Sequence, residues 1–165
     1  MTLSPMLSRR GLIALALLLS CAIGSPIVAR AATTQGAAMP SLPTAHHVVF
    51  QVSSGNPALM NLTLNNIVNV ENYYGKLGQT VQIELVAYGP GLTMLLEDSS
   101  PVKERIEQIK ASIPEITFSA CNVTLQAMEK KAGKKLAIVP QARIVPGGVV
   151  RIMTLQERGW SYIKP

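Results

Sequence analysis

Short β-branched runs alternate with stretches of helical period from residue 48 to the C-terminus, and that alternation constrains the fold more than any other feature. Val48-Val49-Phe50-Gln51-Val52 reads as a strand, closed by the turn signal Ser53-Ser54-Gly55-Asn56-Pro57. Residues 58–77 follow as a helix. Met60, Leu64, Ile67, Val68 and Tyr74 form its apolar stripe, asparagines line another face, and Gly78 stops it. Residues 81–88 alternate at first and then turn wholly apolar, which suits a strand entering a covered sheet. Gly89-Pro90-Gly91 ends that strand, and residues 92–96 have room for a single helical turn.

Ser100 and Pro101 then supply an N-cap and a first-turn proline. Val102, Ile106, Ile109 and Ile113 make one face of the next helix, and Pro114 ends it. Residues 116–120 are the third strand, and residues 122–132 the third helix, stopped by Gly133. Pro140 interrupts the next extended stretch and leaves residues 142–145 as its ladder portion. A last helix over residues 149–158 and an edge strand within residues 160–163 complete the pattern. Strands separated by helices of this length imply βαβ units. The expected fold is α/β, a flavodoxin-like, doubly wound and mainly parallel sheet of about five strands with helices on both faces.

The first 31 residues read as an address. Arg9 and Arg10 precede an apolar run, and Ala29-Arg30-Ala31 supplies the small residues of a signal-peptidase site. The run is too short to span a bilayer comfortably. Cleavage is expected after Ala31, which places the protein in the periplasm or outside the cell. Ser8-Arg9-Arg10-Gly11-Leu12-Ile13 also resembles a twin-arginine signal, so the export route stays open. Lipidation at Cys21 is the minor alternative. Residues 32–45 have no apolar period and read as a flexible linker. Residues 46–165 form the single expected domain.

Losing the leader changes the charge argument. The chain carries 15 Lys+Arg against 9 Asp+Glu, a net of +6. Residues 1–31 hold three arginines and no acid, so the remainder stands at +3. That balance and the few aromatic residues give no reason to expect nucleic-acid binding. Cys21 leaves as well, and Cys121 is then the one thiol. No phosphate-loop, dinucleotide, C-x-x-C or H-E-x-x-H motif is present, so neither metal nor cofactor is expected.

In an open parallel sheet, ligands sit beyond the carboxyl ends of the strands. Four segments fall there: residues 53–56, 89–91, 120–122 and 146–148. Each also satisfies ordinary turn chemistry. Cys121 differs because it links an apolar strand directly to a helix. The first amides of that helix, on Asn122 and Val123, are expected to stabilise a thiolate. The competing reading is a cysteine packed as a small hydrophobe. Asn56, Gly89, Gly91 and Gly147 are expected to shape the pocket. His46 and His47 are expected ahead of the first strand, far from Cys121, so a Cys-His hydrolase is not indicated. Adjacent residues on a strand point apart, which also argues against a His-pair metal site. Ser54-Gly55-Asn56 resembles a flavodoxin phosphate loop, but Pro57 removes an N–H donor and makes flavin a weak alternative.

Several of these segments together resemble the DsrE/DsrF-like family. They are Gly89 to Leu92, Phe118-Ser119-Ala120-Cys121-Asn122, Val145-Pro146-Gly147-Gly148-Val149-Val150-Arg151, and Leu155-Gln156-Glu157-Arg158-Gly159-Trp160. The resemblance covers roughly residues 46–165. It implies a flavodoxin-like fold, homo-oligomers and a sulfur relay, with a cysteine matching Cys121 that carries persulfide sulfur between a donor and an acceptor thiol protein. Relay members follow that cysteine with small residues and an Arg-Gly, and they are cytoplasmic. Here residues 122–127 read Asn-Val-Thr-Leu-Gln-Ala, and the chain is expected to be exported. The alternative function is a non-catalytic oligomeric binding or assembly module in which Cys121 is structural.

Overall fold

The computed structural model describes residues 45–165. The expected leader, Cys21 and residues 32–44 lie outside the described residues. Five strands form one sheet in the order β4-β3-β2-β1-β5, and every pairing is parallel. They are β1 (Ala45–Val52), β2 (Thr80–Ala87), β3 (Thr117–Cys121), β4 (Ala142–Val145) and β5 (Ser161–Ile163). The α-helices are α1 (Pro57–Lys76), α2 (Lys103–Ser112), α3 (Asn122–Ala132) and α4 (Gly148–Glu157), with a 3-10 helix over Gly89–Leu95. This is the doubly wound, flavodoxin-like α/β architecture expected from the alternation.

Strand order explains the layering. From β1 to β4 the chain steps in one direction across the sheet. Right-handed crossovers in one direction put their helices on one face. After β4 the chain returns to the far side of β1, so α4 is carried to the other face. The core divides accordingly. Val48, Phe50, Val52, Ile83, Leu85, Phe118 and Ala120 face α1, α2 and α3, meeting Met60, Leu64, Ile106 and Leu125. Val49 and Val86 face α4 and meet Ile152 and Leu155. One face is thus covered by three α-helices, the other by a single ten-residue one.

Side chains alternate across a strand. Glu84 and Val86 of β2, Ser119 and Cys121 of β3, and Arg143 and Val145 of β4 therefore share the face under α4. This places the thiol and a set of charged groups on one thinly covered surface.

Two expectations need correcting. Ser100 and Pro101 lie ahead of α2, whose N-cap is Val102; the Ser100 hydroxyl accepts the Val102 N–H at 3.3 Å instead of capping the first turn. His46 and His47 lie within β1, paired with Val81 and Gln82, rather than ahead of it. His46 stacks on Tyr74 with ring centroids 3.8 Å apart, and its Nε2 shares a hydrogen bond with Gln79 Oε1. His47 lies against Trp160 on the other face. Both remain at the amino end of the strand, away from Cys121.

Candidate active site around Cys121

Cys121 is the last residue of β3 and the N-cap of α3, with extended backbone dihedrals. It is a free thiol, 5% exposed. Two helix N-termini converge on it. The N–H groups of Val123 and Thr124, from the first turn of α3, and the N–H of Gly148, at the start of α4, lie close enough to favour the thiolate, as does the Thr124 hydroxyl. That hydroxyl accepts the Gly89 N–H at 3.0 Å, which leaves its own proton free for the sulfur. Gly89 adopts a left-handed φ of 51°, so the turn after β2 orients this donor.

Burial pushes the Cys121 thiol up. The Thr124 hydroxyl and the N–H groups of Thr124, Gly148 and Val123 outweigh burial and hold it below the ordinary thiol value. Unpaired amides at helix starts and the positive end of each helix dipole have this effect on a thiolate.

Gly148 makes the approach of α4 feasible. A Cβ there would lie 3.0 Å from Tyr88 Cβ and 3.1 Å from Cys121 Cβ. Any larger residue would push the helix start, and its N–H, off the sulfur. The thiol lies at the floor of a cleft of about 320 Å³ lined by Tyr88, Thr124, Gly147, Gly148, Val149 and Val150, with Val123 at its rim. Val123, Val149 and Val150 are more than half exposed.

The candidate residues are placed unequally. Val123 and Gly147 line the cleft, and Gly89 sets the Thr124 hydroxyl. Asn122 opens α3, while the amides reaching the sulfur come from the next two residues. Gly91 is buried against the backbone of Val52 and Ser53, where it acts on packing. Asn56 is the N-cap of α1, its Oδ1 accepting from Ala58 N–H at 2.9 Å, and it does not line the thiol cleft. Sequence reasoning did not single out Thr124, Gly148 or Tyr88. The glycine pair 147–148 was the available signal, since two adjacent glycines at a helix start allow a close approach.

A second cluster on the same face was also missed. Glu84 is 2% exposed. Its Oε1 accepts from Ser119 Oγ at 2.6 Å and Arg151 Nε at 2.8 Å. Its Oε2 accepts from Arg151 Nη2 at 2.6 Å and Arg143 Nη2 at 3.0 Å. Burial pushes its carboxyl up, but these bonds and the two guanidinium charges hold it below the usual carboxylate value. A carboxylate inside the apolar run of β2 was the sequence signal.

The lowered thiol value predicts that Cys121 alkylation by iodoacetamide follows a pH profile centred below that of free cysteine. Thr124→Val removes one hydrogen bond to the thiolate. Below the midpoint its rate should fall about tenfold, within the worth of a bond to a charged group. At high pH the variant should be the faster, because a less stabilised thiolate is the better nucleophile. Identical profiles for the two proteins would contradict the assigned donor.

Among the described residues, no helix is long and apolar enough to cross a membrane, and no group of His, Cys, Asp or Glu side chains is arranged to hold a metal ion. No family model matches the chain, and no curated protein matches it significantly. Among solved structures, the chain is similar to MTH1491 from Methanobacterium thermoautotrophicum, described as a protein of unknown function. The TM-score is 0.63 at 27% identity, over 73% of this chain and 99% of that one. What the two share is an α/β fold carried through nearly the whole of that protein.

Proposed function

We propose that this is an exported DsrE-like protein that carries sulfur on Cys121. The observation that carries the reading is the convergence of two helix starts, those of α3 and α4, on a free thiol in a cleft. The Cys121 thiolate attacks the outer sulfur of a persulfide donor, R–S–SH. A new S–S bond forms, the old one breaks, and R–S⁻ leaves with the bonding pair. Cys121 then holds Cys–S–SH. An acceptor thiolate takes the outer sulfur by the same displacement and returns Cys121 as thiolate. Donors aimed at the inner sulfur stabilise it as the leaving group of this second step.

Incubation with a low-molecular-weight persulfide, followed by intact mass measurement, tests the reading. One added sulfur atom is expected on the wild type and none on Cys121→Ser. No uptake by the wild type, together with a thiol that resists alkylation in the folded protein, would overturn it.

A second reading, a non-catalytic assembly module, draws on Ile144, Val149, Val150 and Met153, all more than half exposed on β4 and α4. Homo-oligomers on sizing chromatography combined with an inert Cys121 would favour it.

A further inference from the structure

Glu84 is more than satisfied. Arg151 alone engages both its oxygens in a bidentate fork, and Ser119 supplies a further donor. Arg143 is a second cation on the same carboxylate. It donates from Nη2 to Glu84 at 3.0 Å and from Nε to Ser119 Oγ at 3.3 Å. Among the described residues its Nη1 donates to nothing. Its side chain is 52% exposed, against 24% for Arg151 and 3% for Glu84. Two guanidiniums beside one carboxylate leave a surplus positive charge, and like charges held together are unfavourable unless something negative joins them.

The surplus faces a cleft. Arg143 and Arg151 line a cavity of about 370 Å³ that also includes Gly147 and Val150. Gly147 and Val150 line the thiol cleft too, so the two cavities adjoin along the start of α4. Arg143 pairs with Ser119 in the sheet, and Ser119 lies two residues from Cys121 on the same strand face. The separation along the strand is about 7 Å.

We propose that Arg143, fixed by Glu84 and Ser119 beside Arg151, binds the anionic head of the small sulfane-sulfur compound that delivers sulfur to Cys121. The inference rests on the sulfur-carrier reading for the identity of the delivered atom. Two classes of donor carry such a head. In thiosulfate it is bonded directly to the sulfane sulfur, and in a short organic persulfide a carboxylate lies a few bonds from it. In the transfer the thiolate bonds to the outer sulfur, the donor S–S bond breaks with its bonding pair going to the leaving group, and sulfite or the carboxylate-bearing thiolate departs.

Disulfide reagents test the subsite without any sulfur transfer. The anionic reagent is 5,5′-dithiobis(2-nitrobenzoate), whose carboxylate lies across one ring from the reacting sulfur. The neutral reagent is 2,2′-dithiodipyridine. Rates with each are normalised to glutathione. The wild type should favour the anionic reagent by about tenfold at low salt, with the preference shrinking at high salt. Arg143→Gln should lose the preference, and Arg143→Lys should keep most of it. Equal normalised rates in the wild type would overturn the anion subsite while leaving thiol chemistry standing. If neither reagent reacts, the sulfur-carrier reading fails. Calorimetric titration of 3-mercaptopropionate and of thiosulfate into the wild type and Arg143→Gln then decides the subsite by itself. Tighter binding of either anion to the wild type than to Arg143→Gln supports it, with the tighter of the two naming the class of donor, and no difference between the proteins for either anion overturns the subsite.

Discussion

Arg151→Met is expected to lower the unfolding free energy by about 3 kcal/mol, because it leaves the Glu84 carboxylate buried without its bidentate partner. Arg143 and Ser119 remain, each with a single bond to it, and neither replaces a two-oxygen fork. Urea denaturation of the domain measures the loss. Replacing the buried set by apolar side chains, with Glu84→Leu, Ser119→Ala and Arg151→Met together, should recover most of it, since a well-packed apolar cluster matches a buried ion pair in stability. Arg143 is half exposed and turns to solvent in that variant. A triple variant no more stable than Arg151→Met would show that the ion pair contributes net stability.

Acid pH separates the same proteins. The Glu84 carboxyl is held below its ordinary value in the folded state. Its contribution is therefore complete above the unfolded value and is lost as pH falls through the folded one. The wild type should lose more stability on acidification than the triple variant. Arg151→Met should also slow Cys121. The Arg151–Glu84 fork holds α4 one turn beyond Gly148, so loosening it moves an amide away from the sulfur.

The extent to which these features could be read in advance follows from how local their causes are. The strand–helix alternation is written in side-chain periodicity, so the sheet, its helices and the β3–α3 junction at Cys121 were legible. The start of β1 was not, because His46 and His47 break the β-branched run. Their strand conformation comes from pairing with β2 and from the Tyr74 and Trp160 rings, which are remote in sequence. The donors around Cys121 divide in the same way. Helix-start amides were foreseeable from the junction, although they belong to Val123 and Thr124 rather than Asn122. The Gly148 amide arrives only because the chain reverses direction after β4. The partners of Glu84 lie 35, 59 and 67 residues along the chain, beyond anything a local pattern records.

Gly91→Ala should destabilise the domain by about 3 kcal/mol, at the top of the usual range for overpacking a close-packed site. A Cβ at residue 91 would lie 2.6 Å from the Val52 carbonyl carbon and 2.9 Å from the Ser53 nitrogen, and closer still to the Val52 oxygen. These are backbone atoms at the end of the interior strand β1, with no rotamer to change. The Val52 oxygen also accepts the Tyr88 N–H at 3.1 Å, and the Tyr88 carbonyl accepts the Gly91 N–H at 3.1 Å. Relief of the clash therefore moves Tyr88, a wall of the thiol cleft. Thermal unfolding should drop by about 10 °C, and the folded remainder should alkylate Cys121 at an altered rate. Gly75→Ala is the matched control. It lies inside α1, where a new Cβ meets nothing within 4 Å, so alanine should stabilise the helix by about 0.5–1 kcal/mol. Opposite signs for the two substitutions are the expected outcome. Equal small effects would show that the β1 terminus yields without cost and that its tight packing does not hold the cleft wall.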